Sequence, residues 1–335
     1  MKVAVDAMGG DYAPEEIVKG AVEAVVKDGT QIILVGKKER VQAELNKYHY
    51  PPELISCVHA PESIEMDEEP VPAVRRKKNA SLVVATRLVK ERTAAAIVSA
   101  GNTGAQMAAS LFELGRIPGV ERPAIATVFP SPGGPKVLID SGANVDCKAR
   151  HLVQFACLGS IYAREVLGIE SPRVALLNIG SEPNKGNEAV VEAFQILEKT
   201  KNLLFAGNLE GRDFFTGDVD VIVCDGFLGN VVLKLTEGLV AALFMMIRSE
   251  LKKNPLRSLG GVLVKPGFRE ILRKLDYTEY GGAPLLGVQG ISIICHGSSR
   301  AKAIRNAIRF AQEAARKNLL ELVKKGLGGN LCESG

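Results

Sequence analysis

Short runs of β-branched and aliphatic residues recur along this chain, each too short for a helix and each followed by an amphipathic stretch, and that alternation leaves little choice of fold. The runs lie at Lys2–Asp6, Ile32–Val35, Ile55–Val58, Ala95–Ser99, Ala124–Val128, Lys136–Asp140, Val174–Asn178, Leu203–Ala206, Val221–Cys224 and Ile291–Cys295. Strands joined by helical crossovers pair in parallel and are covered on both faces. The pattern therefore predicts an α/β protein with a three-layer, doubly wound, largely parallel sheet. At 335 residues the chain can bury a large core. We read 1–330 as a single α/β domain with a helical protrusion at about 239–275, and 331–335 as a flexible tail.

The ends of the runs are alike. Asp6-Ala-Met-Gly-Gly-Asp11, Ser99-Ala-Gly-Asn-Thr-Gly104, Asp140-Ser-Gly-Ala-Asn144, Asn178-Ile-Gly-Ser-Glu-Pro-Asn-Lys-Gly186 and Cys295-His-Gly-Ser-Ser299 all set small and polar residues where an apolar run stops. Together they predict one sheet edge lined with loops built for close backbone approach to a ligand. The corner Val221–Glu237 adds a helix start. Gly226 and Gly229 permit a sharp turn, and Asn230 is placed to cap a helix with Val231, Leu235, Leu239 and Leu243 on one side. Unpaired amides at such a start favour an anion, with Asp225, Asn230 and Lys234 as polar contacts. An ordinary strand-to-helix connection with a capping Asn fits the same residues.

Composition narrows the class. Hydrophobic residues make up 46%, aromatics 5%, and Trp is absent, which describes a globular chain with an aliphatic core. A net charge of +4 is too mild to argue for nucleic acid, so local basic clusters carry more information. Arg75, Arg76, Lys77 and Lys78 follow the acidic stretch Glu62–Pro72 and precede a helix expected at Ser81–Lys90. Either a solvated helix entry or a docking patch for an acidic partner fits them. A helix from Arg300 to about Lys325 is expected to bury Ala301, Ile304, Ile308 and Ala311 and to leave Lys302, Arg305, Arg309 and Arg316 in solvent.

Cys57, Cys147, Cys157, Cys224, Cys295 and Cys332 are far apart, with no Cys-x-x-Cys and no His at zinc spacing, which points to a reducing cytoplasm. Asp6 breaks the first apolar run before signal-peptide length, and the uncharged stretch 93–112 is too rich in polar residues to cross a bilayer. We expect no membrane span. A P-loop, a complete Gly-x-Gly-x-x-Gly and a Gly-x-Ser-x-Gly elbow are all absent. Cys295 and His296 are neighbours in a strand and point to opposite faces, which argues against a Cys–His nucleophile. Small-anion recognition without a protein nucleophile remains.

The exit loops, together with Cys224-Asp-Gly-Phe-Leu-Gly-Asn230 and Tyr280-Gly-Gly-Ala-Pro-Leu-Leu-Gly287 followed by His296-Gly297, resemble the phosphate acyltransferase (PlsX) family of bacterial phospholipid synthesis from residue 1 to about 325. The resemblance implies transfer of a fatty acyl group from acyl carrier protein to inorganic phosphate, giving acyl phosphate for glycerol-3-phosphate acylation. It also implies a homodimer and a fold like isopropylmalate dehydrogenase and phosphotransacetylase.

Such a reaction needs positioning and charge stabilisation, because phosphate is already an anionic nucleophile and a thiolate leaves readily. We expect no cofactor and no metal. Scattered Asp6, Asp11 and Asp225 could hold a metal or could cap turns. Lys185, Asn230 and His296 are the expected catalytic residues. His296 is read either as the donor to the carbonyl oxygen or thiolate, or as a buried structural His. Substrate contacts are expected from Asp6, Gly9, Gly10, Asn102, Thr103, Ser141, Asn144, Ser181, Gly186, Asp225, Lys234 and Ser298. Arg75 to Lys78 would dock the carrier protein. Leu256, Leu259, Val262 and Leu263, ringed by Lys252, Lys253, Arg257 and Lys265, form either a membrane tip or a dimer contact. A cytoplasmic enzyme that visits the membrane, near a glycerol-3-phosphate acyltransferase, follows. The alternatives are a metal- and NAD-dependent decarboxylating dehydrogenase of the same fold and a non-catalytic membrane scaffold.

Overall fold

The computed structural model describes residues 1–254, 257, 260–261, 263–268 and 281–328. Tyr280, the expected tip residues Leu256, Leu259 and Val262, and the expected tail 331–335 lie outside the described residues. The described strands are β1 Lys2–Asp6, β2 Gln31–Gly36, β3 Ile55–His59, β4 Ala96–Ser99, β5 Ala124–Phe129, β6 Lys136–Ile139, β7 Arg173–Asn178, β8 Leu204–Glu210, β9 Val221–Val223, β10 Ala283–Leu286 and β11 Ile291–Ile294. The α-helices with described bounds are α1 Glu15–Asp28, α2 Lys38–Leu45, α3 Pro70–Arg76, α4 Ser81–Lys90, α5 Thr103–Ala109, α6 Ala149–Glu165, α7 Glu188–Lys199, α8 Gly226–Leu251, α9 Ala301–Arg316 and α10 Leu319–Gly328.

The strands form one 11-stranded sheet in the order β3-β2-β1-β4-β11-β10-β5-β6-β9-β7-β8. Every expected run is a strand. The one that pattern reading missed, β10, is four residues long, contains Pro284 and pairs only in antiparallel fashion. The pairings β11–β10, β10–β5 and β5–β6 are antiparallel and the rest parallel, so direction reverses three times at the middle of the sheet. The exit loops therefore do not share one edge. Those of β1, β4 and β11 leave at one edge, and those of β6, β9 and β7 leave at the other.

Side chains alternate between faces along each strand, and the core follows that alternation. On one face Val3, Val5, Val98, Ile139 and Val223 join Ile17, Phe155, Ile304 and Ile308 in one continuous core. On the other face burial splits in two. Ala4, Ile33, Ile97, Ile125 and Ile294 pack under α4 and α5, whereas Leu138, Ala175, Leu177 and Ile222 pack with Phe129 and Phe214. The sheet is left open between these two clusters, beside β5 and β6.

Two boundaries differ from the reading above. The last helical stretch is broken between α9 and α10, where Asn318 adopts a φ of +56°. Helix α8 starts at Gly226 with Asp225 as its cap, accepting a hydrogen bond from Leu228 N at 2.8 Å. Asn230 thus sits inside the helix, in its first turn and a half, rather than capping it. Among the described residues little covers the apolar side of α8: Leu235, Leu239 and Met245 are about two-thirds exposed, at 67%, 65% and 67%. By length and composition alone α8 is long and apolar enough to cross a membrane.

Candidate active site

The opening between the two cores is a cavity of about 330 Å³. Asp11, Thr103, Thr127, Ser141, Asn230, Lys234, Glu237, His296 and Ser299 supply its polar lining. Met66, Ile125, Val128, Leu233, Ala283, Ile294 and Ala303 supply apolar walls. Four groups of residues, from both edges of the sheet, converge there.

The first comes from β1 and β4. The carboxylate of Asp6 is buried beneath the loops and accepts hydrogen bonds from Ser99 Oγ at 2.7 Å and Met8 N at 3.2 Å. Burial raises its pKa above the usual carboxylate value. Gly9 must be glycine for room: a β-carbon there would lie 2.4 Å from Asp6 Oδ2 and 2.9 Å from Gly101 N. Asp6 and Gly9 thus shape the loops and do not line the cavity, while Gly10 packs against Gly297 O. Asn102 caps α5 through Ala105 N, and its amide donates to Met66 O and Glu68 O at 3.1 and 3.0 Å. That leaves Thr103, the next residue, facing the cavity.

The second is the turn after β6. Asp140 is buried and accepts hydrogen bonds from Ile125 N, Gly142 N, Ala143 N, Asn144 N and Asn144 Nδ2. Its pKa is raised because burial outweighs these donors. Asn144 also donates to Pro123 O, so it braces the turn from below. Ser141 emerges into the cavity with its hydroxyl 2.7 Å from Thr127 Oγ1. Third, α8 presents Asn230, Leu233, Lys234 and Glu237, whose spacing puts them on one helical face.

Fourth, β11 ends at Ile294 and is followed by Cys295 and His296. Ser298 N–H donates to His296 Nδ1 at 3.2 Å, and Ser298 Oγ lies 2.8 Å from the same nitrogen. A main-chain amide cannot accept, so Nδ1 is the acceptor and the neutral ring carries its proton on Nε2. His296 therefore offers an N–H to the cavity. Cys295 is buried and its thiol is pushed up to about 12, which removes it as a nucleophile.

Lys185, Ser181 and Gly186 lie elsewhere, in the loop between β7 and α7. Asn178 Nδ2 holds this loop by donating to Lys185 O at 2.8 Å, and Asn187 caps α7 through Val190 N. The loop leaves the same edge as the Asp140 turn, two strands from β6, and is not part of the cavity lining. Asp225 and Ser298 support the site from just outside it. Among the basic residues, Lys77 is tied inward to Glu68 and Ser63 O, and Arg75 lies over the Phe112 ring at 5.4 Å. Arg76 and Lys78 are exposed. Pattern reading overlooked Thr127 and Glu237. Glu237 lies three residues after Lys234 and seven after Asn230, a spacing that marks the same helical face once the helix start is known.

The chain matches the family described as fatty acid synthesis protein over residues 1–322. A phosphate acyltransferase of Pelotomaculum thermopropionicum is 55% identical over 341 residues, covering 99% of both chains. One of Heliobacterium modesticaldum is 55% identical over 332 residues, again covering 99% of both. In fold the chain is similar to a phosphotransacetylase of Streptococcus pyogenes, with a TM-score of 0.64, 18% identity and 94% of both chains covered. A 4-hydroxythreonine-4-phosphate dehydrogenase of Klebsiella pneumoniae shares the fold with a TM-score of 0.56 and 14% identity, covering 94% of this chain and 99% of that one.

Proposed function

Since this chain belongs to the fatty acid synthesis protein family, in which its curated relatives are phosphate acyltransferases, we propose that it transfers a fatty acyl group from an acyl carrier protein thioester to inorganic phosphate. It is an acyltransferase, and the acyl phosphate it makes serves phospholipid synthesis. One observation carries the reading: anion-binding donors and apolar walls share a single cavity that holds no activated nucleophile. Thr103, Ser141, Asn230 and Lys234 suit a phosphate. Met66, Ile125, Val128 and Leu233 suit the start of an acyl chain, and His296 Nε2–H suits the carbonyl oxygen, where negative charge develops as phosphate attacks.

The carrier protein docks, in this reading, on α3, which lies at the cavity rim because Asn102 ties the preceding segment to the start of α5. Arg76 and Lys78 are exposed charges of that surface. The uncovered apolar side of α8 supports a homodimer, since a stripe holding Leu235, Leu239 and Leu243 is larger than a monomer usually leaves in water. A membrane span is disfavoured because Asn230, Lys234 and Glu237 of the same helix line the cavity. We place the protein in the cytoplasm, touching the bilayer through the region beyond α8, where Leu263 is 75% exposed. There a membrane glycerol-3-phosphate acyltransferase would take the product.

The test is incubation with an acyl carrier protein thioester with and without phosphate, trapping the product with hydroxylamine. Acyl phosphate formed only with phosphate supports the reading; thioester loss independent of phosphate overturns it.

A further inference from the structure

The net reaction moves a proton as well as an acyl group, because hydrogen phosphate enters and a free thiol leaves. The neutral ring of His296 cannot carry that proton. Its Nδ1 already accepts from Ser298 N–H, so giving up the Nε2 proton would leave an imidazolate. His296 is a fixed hydrogen-bond donor, and another group must move the proton.

Resting on the acyl-transfer reading, we propose that Glu237 shuttles this proton from the attacking phosphate to the departing sulfur. Glu237 lines the cavity from α8, one turn after Lys234. Its Oε1 is buried and has no hydrogen-bond partner. A buried carboxylate oxygen without a donor is uncommon unless a ligand supplies one. Its Oε2 stands 4.0 Å from His296 Nε2, too far for a hydrogen bond but close enough for both groups to meet one reacting centre. The other charged groups of the cavity among the described residues are Asp11 and Lys234. Lys234 offsets the repulsion between Glu237 and phosphate.

The step balances without a further reactant. A phosphate oxygen forms the C–O bond to the thioester carbonyl carbon, and the phosphate O–H proton passes to the Glu237 carboxylate. The tetrahedral intermediate, its oxyanion facing His296 Nε2–H, collapses. The C–S bond breaks with its electron pair on sulfur, and Glu237 returns the same proton to that sulfur. The carboxylate ends as it began.

The experiment compares wild type, Glu237→Gln and Glu237→Asp for kcat and for KM of phosphate, with circular dichroism to check folding. A lost proton shuttle lowers kcat by about 10²–10⁴-fold. We expect that loss in Glu237→Gln with KM for phosphate unchanged or lower. Glu237→Asp keeps activity at reduced kcat. A folded Glu237→Gln within about threefold of wild-type kcat, or one whose KM alone rises, overturns the shuttle while leaving acyl transfer intact. If Glu237→Gln does not fold, unchanged kcat in Glu237→Asp overturns it. A wild type that makes no acyl phosphate overturns the function itself.

Discussion

A β-carbon at Gly229 would lie 1.9 Å from the main-chain oxygen of Asp140, so α8 rests on the turn after β6 with no side chain between them. Gly226 makes the same approach one turn earlier: its β-carbon would meet Asn144 N at 2.7 Å, and its N–H donates to Asn144 O at 2.7 Å. Ser141 on the turn and Asn230 and Lys234 on the helix are thereby held as one rigid piece of the cavity. Gly229→Ala is expected to cost about 1–3 kcal/mol through forced separation of the two elements. Its kcat/KM should fall further than global stability explains. Denaturant unfolding beside phosphate-dependent kinetics checks both.

Two lysines compete for the anion. Lys234 lines the cavity and Lys185 sits in the β7–α7 loop beyond it. Losing a charged partner of phosphate costs about 1.5–3 kcal/mol, or roughly 10–150-fold in phosphate affinity. Lys234→Ala should show that rise in KM, and Lys185→Ala a smaller one. A larger effect at Lys185 would put the phosphate at the outer loop instead.

Ser141 shares its hydroxyl with Thr127 at 2.7 Å, and both line the cavity. Ser141→Ala should raise KM for phosphate by about fivefold with little change in melting temperature, since one hydrogen bond contributes about 1 kcal/mol. An unchanged KM would remove the Asp140 turn from anion binding.

Thiol chemistry has a stated pH dependence. Burial pushes the thiols of both Cys147 and Cys295 up to about 12, with Asp140 and Asp225 adding to the effect at Cys147. A raised thiol pKa keeps the protonated, unreactive form below that value, so at pH 8 only a fraction on the order of 10⁻⁴ is thiolate. Cys147 and Cys295 should resist iodoacetamide at pH 8 in the native protein, and Cys295→Ser should remain active. Rapid inactivation with label on Cys295 would reopen covalent catalysis by that residue.

Charge reversal at Arg76 and Lys78 tests carrier docking. The double change to Glu should raise the apparent KM for acyl carrier protein by about tenfold and flatten its salt dependence, while a small thioester substrate is unaffected. Equal effects on both substrates would place the damage in the cavity.

The apolar surfaces separate by readout. Leu239→Glu on α8 should convert a dimer to monomers in sedimentation analysis. Leu263→Glu should leave the dimer and the solution reaction intact but reduce sedimentation with anionic vesicles, because each buried Leu contributes roughly 1.5–3 kcal/mol. Monomers from Leu263→Glu would make that position part of the subunit contact.

Much of this architecture was legible in the chain itself, because strands and crossover helices are written in local periodicity. The run Val221–Cys224, the helix Ser81–Lys90 and the glycines at 226 and 229 all stand where local pattern put them. Small-residue exits after β1, β4, β6 and β11 announced a ligand site for the same local reason. Only tertiary structure decided which exits meet. The reversal of direction through β10, β5 and β6 depends on pairings between residues as distant as Leu285 and Ile125, which no local pattern encodes. That reversal leaves the sheet uncovered beside Thr127, brings His296 to face α8 and leaves Lys185 outside. Glu237 gained its place the same way: its neighbours in sequence describe an ordinary helix, and its position beside His296 comes from packing across the sheet.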